Sequence, residues 1–289
     1  MPRSRSRPND DPPAEPHRTA PAEESTPPPF TGNLSTSQFA EKVQAVFREE
    51  PVVAPSKLAR GLVLFDLDGT LLDDVGLIAD VAGDVLWKAF GTPAPEGRLH
   101  YLATTGMPFE AQLSQLYPAA PDELRSQTAR IFHQRKVTEA YAVAGIFPEI
   151  PKVLKRLSSA GWTMAVSTGA EREMADLVLE REGLRYWFED VLGSAQGTKR
   201  EHLGEFARRY PGARTFLVGD SRFDMEAASS APGVVAIGRA SSLLGWTLTP
   251  DDLKRWGAVW ADYSLSGLPD FLEGAPPPGR TVPSRRRKR

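Results

Sequence analysis

The stretch Gly61-Leu62-Val63-Leu64-Phe65-Asp66-Leu67-Asp68-Gly69-Thr70 decides the fold. Its apolar residues show no helical period and are followed by Asp and Gly, which is typical of a buried strand in a parallel sheet. The two acids then stand at the C-terminal end of that strand, where open α/β sheets bind ligands. Their repulsion falls if a divalent cation lies between them or if one carries a proton. A β-turn, with Asp for local hydrogen bonds and Gly for positive φ, is the alternative interpretation.

Length and composition limit the classes of protein that fit. The 289 residues allow one large domain or two modest ones. Lys and Arg total 35 against 37 Asp and Glu, so no overall field favours nucleic acid. Cysteine is absent, which excludes disulfides, thiolate nucleophiles and thiolate metal sites. No two of the four His have metal-ligand spacing, so a metal site must use oxygen ligands and favours a magnesium-like ion. His100, His133 and His202 are expected at the surface.

The sequence predicts a soluble, cytoplasmic protein without a membrane partner. No apolar stretch approaches the roughly 20 residues of a membrane span. The basic N-terminus is not followed by the apolar region of a signal peptide. The basic run at 285–289 is a single cluster and is typical of a solvated tail, so no nucleic-acid partner is expected. The oligomeric state stays open.

The chain divides into regions of different composition. Residues 1–57 are Pro-rich and predicted to be disordered, with one candidate helix at 35–50, and residues 274–289 form a second disordered, basic tail. Residues 75–147 show helical patterns at 77–90, 110–116 and 122–141 but no convincing strand. Strands and helices alternate from 148 onward. Together with 58–74, residues 148–273 therefore predict an α/β core, a Rossmann-like, doubly wound parallel sheet with right-handed crossovers.

Polar residues follow the predicted strands at the point where each strand ends. In a parallel sheet these ends share one edge, so their side chains can converge in one crevice. Carboxylates, a hydroxyl group and an ammonium group suit a magnesium ion and a phosphate. The residues are Asp66 and Asp68 after the first strand, Thr168 and Gly169 after the second, Lys199 after a short strand near 191–193, and Asp220 and Asp224 after the strand at 215–218.

These motifs resemble those of the haloacid dehalogenase superfamily, over about residues 58–272. The similarity is to the phosphoglycolate-phosphatase-like branch, in which a helical cap of the C1 type is inserted after the first motif. By this resemblance, residues 75–147 are the cap. The first motif is 66–70, the second ends at Thr168, the third is Lys199 and the fourth is 219–224. Many members have Lys-Pro where this chain has Lys199-Arg200, so either cation could serve the third motif.

The resemblance implies a phosphatase that works through an aspartyl-phosphate intermediate. Asp66 is then the nucleophile, and Asp68 protonates the leaving oxygen and later takes a proton from water. A free Asp has a pKa near ~3.9, so the acid role predicts that its site raises the pKa of Asp68. Thr168 and Lys199 stabilise the phosphoryl group. Thr168 could instead cap the following helix, and Lys199 could be a solvated residue in a first helical turn.

The same resemblance implies a Mg²⁺ cofactor bound by carboxylates. Asp66, Asp68 (through its backbone carbonyl), Asp220 and Asp224 are the predicted metal ligands. The cation would remove the repulsion between the Asp66 carboxylate and a dianionic phosphate. The structural alternative for Asp220 is capping of the next helix.

The predicted substrate is a small phosphorylated metabolite. The cap loop at 104–109 is expected to face the leaving group. Thr105, Gly106 and Phe109 are its candidate substrate contacts, and Gly169 is a fourth on the core. A simple helix-to-helix turn is the alternative for this loop. Two alternative functions also stay open: a non-catalytic module that binds a phosphorylated ligand, and a phosphomutase of the same superfamily.

Overall fold

The computed structural model describes residues 60–274. The predictions for residues 1–57, including the helix at 35–50, and for the tail beyond Gly274 lie outside this range. Within it, none of the helices combines the length and apolar character that crossing a bilayer would need.

A parallel sheet forms the centre of the molecule. Its strands, in chain order, are β1 (Gly61–Phe65), β2 (Trp162–Ser167), β3 (Val191–Leu192), β4 (Thr215–Gly219), β5 (Val234–Arg239) and, after a hairpin of β6 (Ser241–Leu243) and β7 (Trp246–Leu248), β8 (Trp260–Asp262). The six parallel strands lie in the order β3-β2-β1-β4-β5-β8, while β6 and β7 pair antiparallel. This order confirms the predicted Rossmann-like α/β class and puts β1 between β2 and β4.

Helices fill the connections between the strands. They are α1 (Val75–Phe90), α2 (Ala94–Ala103), α3 (Phe109–Leu116), α4 (Asp122–Arg135), a π-helical turn (Lys136–Tyr141), α5 (Ile150–Ser159), α6 (Arg172–Arg181), α7 (Lys199–Arg209), α8 (Arg222–Ser230), α9 (Pro250–Arg255) and α10 (Leu268–Gly274). Short 3₁₀ turns lie at Arg185–Trp187, Ser194–Gln196 and Leu265–Gly267.

Strand β1 is buried on both faces, which explains its unbroken apolar sequence. Val63 and Phe65 belong to one hydrophobic cluster and Leu62 and Leu64 to a second. The first cluster includes buried side chains of α1, α5 and α6, and the second includes those of α7, α8 and α9. The sheet is therefore the middle of three layers, and solvent reaches β1 only at its ends.

The strand register brings the predicted polar residues to one edge. Phe65, the last residue of β1, pairs with Val166 of β2 and with Val218 of β4. Asp66 follows directly and donates its backbone N–H to the carbonyl of Val218 at 2.8 Å. The residues that follow all three strands therefore lie side by side at the C-terminal edge of the sheet.

Residues 75–147, called here the helical insert, lie between β1 and β2. Their regular structure is helical, and Ile146 adds one isolated bridge to Leu72. The chain leaves and re-enters the core at adjacent points: the N–H of Phe147 donates to Leu71 O at 3.1 Å, and that of Asp73 to Gly145 O at 2.9 Å. The helical character agrees with the sequence pattern, whereas the role of this insert as a cap stays a prediction.

Several elements, helix α9 among them, differ from the sequence-based expectations. The helix predicted at 122–141 is α-helical only to Arg135 and continues as the π-helical turn. Helix α2 was not expected, because Pro95 and Gly97 interrupt its pattern; Pro is nonetheless favoured in a first helical turn, where its missing N–H needs no partner. The β6–β7 hairpin was also not expected, since its strands are only three residues long.

Two glycines allow α1 and α2 to cross closely. A Cβ atom on Gly83 would lie 2.4 Å from the carbonyl oxygen of Ala94, and one on Gly97 would lie 3.2 Å from the Cα of Gly83. The first distance is to backbone, which cannot rotate away as a flexible side chain could. Gly83 is therefore needed for helix packing despite its low helix propensity.

We predict that Gly83→Ala destabilises the protein while Gly204→Ala, in α7, stabilises it. Both replace a helical glycine, but nothing lies within 4 Å of a Cβ on Gly204. The control should gain about 0.5–1 kcal/mol from helix propensity, and Gly83→Ala should lose about 1–3 kcal/mol through overpacking. Urea denaturation measures both changes. Stabilisation by both substitutions would contradict the described α1–α2 crossing.

Candidate active site

Three carboxylates meet at the C-terminal edge of the sheet. Asp66, Asp220 and Asp224 are all buried, and each contributes a carboxylate oxygen to a group whose members lie within 4.8 Å of one another. Asp66 follows β1, Asp220 follows β4, and Asp224 lies in the first turn of α8. The structure thus brings together three of the four predicted metal ligands through their side chains.

Lys199 is the cation that faces these acids. Its Nζ lies 2.8 Å from Asp66 Oδ2 and also pairs with Asp224 Oδ1. Its side chain is 14% exposed, so the interpretation of Lys199 as a solvated helical residue is wrong. Arg200, the other candidate for the third motif, is exposed. Lys199 begins α7, which Thr198 caps by accepting the N–H of Glu201.

A glycine lets the first and fourth motifs approach each other. Gly69 has φ = 68°, and a Cβ atom there would lie 2.2 Å from Asp220 Oδ2. Any other residue would be strained by the backbone conformation and would displace the Asp220 carboxylate. The Gly of the Asp-Leu-Asp-Gly run therefore serves the site as well as the turn.

Ser221, and not Asp220, caps helix α8. The Ser221 hydroxyl accepts the N–H of Asp224 at 3.2 Å and donates to Asp224 Oδ2 at 2.6 Å. The structural alternative for Asp220 is therefore wrong, since the neighbouring serine makes that cap. This capping box fixes one oxygen of Asp224 and leaves the other for Lys199.

Thr168 lies at the end of β2 and is 1% exposed. Its hydroxyl oxygen accepts the N–H of Ala170 at 3.1 Å, while Glu171, and not Thr168, occupies the N-cap of α6. The hydroxyl proton is not used in that bond and can be donated to a ligand. The next residue, Gly169, is exposed, with nothing within 4 Å of a Cβ placed on it.

The electrostatics of the cluster show an excess of buried negative charge. Burial raises the pKa of Asp66 to about 7, with Asp224 and Asp68 adding to the effect of burial and Lys199 opposing it. Burial, Asp66 and Asp224 raise the pKa of Asp220 well above its usual range. Burial lowers the pKa of Lys199, but Asp224 and Asp66 outweigh it and leave that pKa above its ordinary value. One ammonium group does not compensate three carboxylates.

A divalent cation fits this set of donors. The three side chains offer only carboxylate oxygens, which hard ions such as Mg²⁺ prefer. A cation of charge two would also offset the repulsion that adds to burial in raising the pKa values of Asp66 and Asp220. The cluster is therefore suited to a metal by charge and by ligand chemistry.

The side chain of Asp68 points away from this cluster, toward the helical insert. Lys136 Nζ lies 2.5 Å from Asp68 Oδ2, and the Tyr141 hydroxyl donates to Oδ1 at 2.7 Å. Burial raises the pKa of Asp68, but Lys136 and Tyr141 together outweigh burial, so the pKa falls below its usual value. The expectation of a raised pKa is wrong for this arrangement, because the sequence pattern did not reveal the two donors.

Asp74 is a further acid that sequence reasoning missed. It is fully buried, and its Oδ1 accepts the N–H of Gly69 at 3.0 Å. Burial and the charge of Asp68 raise the pKa of Asp74 well above its usual range. Its Oδ2 has no hydrogen-bond partner among the described residues. Asp73 and Asp74 form an acidic pair before the insert, and no local pattern tells that Asp74 is the buried one.

The loop at 104–109 lies against the fourth motif. A Cβ atom on Gly106, which has φ = 91°, would lie 2.4 Å from the Ser221 hydroxyl oxygen. The Thr105 hydroxyl donates to the carbonyl of Tyr101 at 3.2 Å. Phe109 is buried within the insert and stacks on Phe132 with ring centroids 3.8 Å apart. Substrate contacts by Thr105, Gly106, Phe109 and Gly169 stay predictions, and Phe109 would have to leave its stacked position to make one.

His202 is fully buried, so its expected surface position is wrong. Burial lowers its pKa and keeps the ring neutral. Its Nε2–H donates to the Gly193 carbonyl, 3.2 Å away, and Nδ1 accepts the Ser167 hydroxyl at 2.9 Å. Ser167 precedes Thr168, and His202 lies one turn after Lys199. The ring therefore ties the strand that carries the hydroxyl to the helix that carries the ammonium.

Comparison with known proteins identifies the family. The family model described as haloacid dehalogenase-like hydrolase matches residues 63–237, more than half of the chain. The chain belongs to this family. A phosphoglycolate phosphatase from Vibrio vulnificus is 32% identical over 183 residues, which cover 59% of this chain and 79% of that protein. The probable phosphatase IndB of Dickeya dadantii is 31% identical over 205 residues, covering 67% of this chain and 85% of IndB.

The fold comparison agrees with this haloacid dehalogenase-like assignment. A solved structure of a haloacid dehalogenase-like family hydrolase from Streptococcus pneumoniae has a TM-score of 0.61 at 21% identity, covering 73% of this chain and 98% of that one. At this identity the likeness supports the fold alone. The predicted resemblance to phosphoglycolate-phosphatase-like hydrolases of the superfamily is confirmed by the family match and these relatives.

We predict that Asp66→Asn becomes more stable relative to the native protein as the pH rises in the absence of metal. The Asp66 pKa of about 7 lies above the ordinary value of 3.8, so the folded protein binds this proton more tightly. The stability gained from this proton is complete below the pKa that Asp66 has in the unfolded chain, and it is lost as the pH rises through about 7. Because Asn cannot ionise, the Asp66→Asn variant does not lose stability in this way.

The measurement is the melting temperature of both proteins in EDTA between pH 5 and pH 8. The lowered pKa of buried His202 makes both proteins more stable as the pH rises in this window. Because both proteins contain His202, this effect cancels in the difference between their melting temperatures. The difference should grow by at least about 2 °C, the shift that ~1 kcal/mol produces in a domain of this size. A constant or shrinking difference would show that Asp66 is not buried as described.

Proposed function

We propose that this protein is a Mg²⁺-dependent phosphatase that hydrolyses a small phosphate monoester through an aspartyl-phosphate on Asp66. One observation carries the proposal. Asp66 directly follows the central strand, and its buried carboxylate belongs to a cluster of three acids. The Lys199 ammonium lies 2.8 Å from that carboxylate. Hydrolysis of phosphoric monoesters as the class of reaction is supported by the family match and by relatives that are phosphatases.

The metal would be held by Asp66, Asp220 and Asp224, with the backbone carbonyl of Asp68 as a further ligand. When bound, it would supply positive charge that offsets the repulsion of the phosphate dianion by the attacking carboxylate. The excess negative charge of the cluster supports this assignment, since burial and the neighbouring acids both raise the pKa values of Asp66 and Asp220. The all-oxygen donor set favours Mg²⁺ over softer ions.

The first chemical step transfers the phosphoryl group to the protein. A carboxylate oxygen of Asp66 attacks phosphorus, and the bond from phosphorus to the leaving oxygen breaks. The leaving oxygen takes a proton from Asp68 and departs as an alcohol, a role that requires the bound phosphate dianion to raise the lowered pKa of Asp68. The Lys199 ammonium offsets charge on the phosphoryl oxygens, and the Thr168 hydroxyl donates a hydrogen bond to one of them.

The second step releases phosphate. A water molecule attacks phosphorus, the bond to Asp66 breaks, and Asp68 accepts the water's proton as inorganic phosphate forms. Asp66 returns to its carboxylate form and Asp68 is protonated again, so both are ready for another substrate. Asp68 acts first as an acid and then as a base.

The substrate class proposed is a small phosphorylated metabolite. The helical insert is proposed to be the cap, because Gly106 lies against Ser221 and Lys136 reaches Asp68. The loop at 104–109 is short, partly apolar and uncharged, which suits a small leaving group. Phosphoglycolate is the first candidate, since the Vibrio vulnificus relative is named for that activity.

We predict that the purified native protein releases phosphate from p-nitrophenyl phosphate and from at least one alkyl phosphate in a panel that includes phosphoglycolate. EDTA should abolish activity and Mg²⁺ should restore it. Asp66→Asn should lower kcat by at least about 10³-fold, the scale of loss when a nucleophile is removed. Asp251→Asn is the matched control, because its side chain is 87% exposed and lies outside the site.

The outcomes separate the alternatives. Binding of phosphate esters without turnover would favour the non-catalytic module. Transfer of the phosphoryl group to a second sugar phosphate, with no release of inorganic phosphate, would favour a phosphomutase. Substantial activity of Asp66→Asn, with circular dichroism matching the native protein, would overturn the covalent mechanism.

A further inference from the structure

The π-helical turn Lys136–Tyr141 occupies both oxygens of the Asp68 carboxylate. Lys136 Nζ lies 2.5 Å from Oδ2, and the Tyr141 hydroxyl donates to Oδ1 at 2.7 Å. All three side chains are largely buried: Asp68 is 22% exposed, Lys136 is 13% exposed and Tyr141 is 3% exposed. The insert thus supplies two donors to a residue of the core.

The change from α- to π-helix is what makes this double contact. Lys136 and Tyr141 are five positions apart, and in an α-helix residues at that spacing point about 140° away from each other. The i→i+5 pattern of a π-turn brings them to the same side. Lys136 Nζ accordingly lies 4.7 Å from the centre of the Tyr141 ring. Single π-turns inside α-helices are often found at functional sites.

The core fixes the end of this turn. Arg181 of α6 donates to the backbone carbonyl of Tyr141 and, at 2.5 Å, to that of Ala144. Backbone anchoring of this kind sets the height of the Tyr141 ring above Asp68 whatever side chain stands at 141. Tyr141→Phe therefore removes a hydroxyl group from Asp68 and leaves the packing of the ring in place.

We propose that Lys136 and Tyr141 are positioning residues that orient the Asp68 carboxyl group for proton transfer to the leaving oxygen. The inference rests on the proposed function, in which Asp68 is the acid and then the base. An ammonium group and a hydroxyl group stabilise the carboxylate that remains once the proton has been delivered. They also restrict the rotation of that carboxylate, and proton transfer is sensitive to displacements of about 1 Å.

This role has a signature that an ordinary structural ion pair lacks. An alkyl phosphate expels an alkoxide, which needs a proton, whereas p-nitrophenolate is stable enough to leave without one. The value of kcat/KM includes the step in which the leaving group departs. A defect in Asp68 as the acid therefore lowers kcat/KM for the alkyl phosphate and spares that for p-nitrophenyl phosphate.

The test compares Tyr141→Phe with Tyr117→Phe on both kinds of substrate. Tyr117 is the matched control because it lies in the same insert and its hydroxyl bonds Thr92 at 2.6 Å, away from Asp68. The alkyl substrate is the one that the native enzyme turns over fastest in the panel described above. Tyr141→Phe should lower its kcat/KM by about 10–100-fold and change that for p-nitrophenyl phosphate by less than about 3-fold. Tyr117→Phe should change neither.

A second set of variants tests Lys136. Lys136→Met should reproduce the selective loss, and Lys136→Arg should recover part of it, because Arg keeps a positive donor. Lys88→Met, an exposed lysine of α1, is the control for loss of charge. On the background of Asp68→Asn, Tyr141→Phe should cause no further selective loss, since its effect acts through Asp68.

Three results would overturn the inference: equal losses on both substrates, a change confined to KM, or a full additional loss on the Asp68→Asn background. In each case the activity of the native protein would still uphold the proposed function. Absence of any native phosphatase activity would overturn both. A selective, non-additive loss supports the assignment of Lys136 and Tyr141.

Discussion

The repulsion among buried carboxylates at the end of β1 is the constraint on which the site depends. Asp66, Asp220 and Asp224 are brought together by a sheet that is covered on both faces. Water therefore cannot screen the repulsion among their charges. Lys199 offsets part of that charge. Such a cluster is costly in a resting protein and useful in one that binds a cation and a phosphate.

The acids are held by different means, and the difference matches the proposed division of roles. The backbone of Asp66 is fixed by the sheet and that of Asp224 by the Ser221 capping box. Asp68, by contrast, is three residues beyond the strand and takes its side-chain partners from the insert. The groups proposed to bind the metal are set by the core alone, while the group proposed to move protons is also set by a separate layer of helices.

Much of this arrangement could be predicted from the sequence, for a simple geometric reason. In a parallel sheet, the residue after each strand faces the same edge, so recognising the strands is enough to bring Asp66, Thr168 and Asp220 together. The short strand near 191–193 placed Lys199 at the same edge, with Arg200 left open as the alternative cation.

Lys136, Tyr141 and Asp74 could not be found in this way. Lys136 and Tyr141 act through a π-turn, whereas a helical period read from sequence assumes 3.6 residues per turn. Asp74 is a buried acid close to Asp68, which carries the same charge, and buried His202 bonds Ser167, which is distant in sequence. No local pattern reveals either arrangement. Helix α2 was missed because packing against Gly83 overrides its weak local signal.

The adjacent exit and entry points of the insert also bear on the order of folding. Strands β1 and β2 pair Phe65 with Val166, residues that are far apart in the chain, and closing so long a loop costs conformational entropy. Helices built from local contacts form faster than such pairings. Once the insert has folded, the hydrogen bonds between Leu71 and Phe147 and between Asp73 and Gly145 bring its two ends together. The remaining loop is then the short stretch after β1 and the segment that carries α5, so the part of the chain that interrupts the sheet also shortens the search by which the sheet assembles.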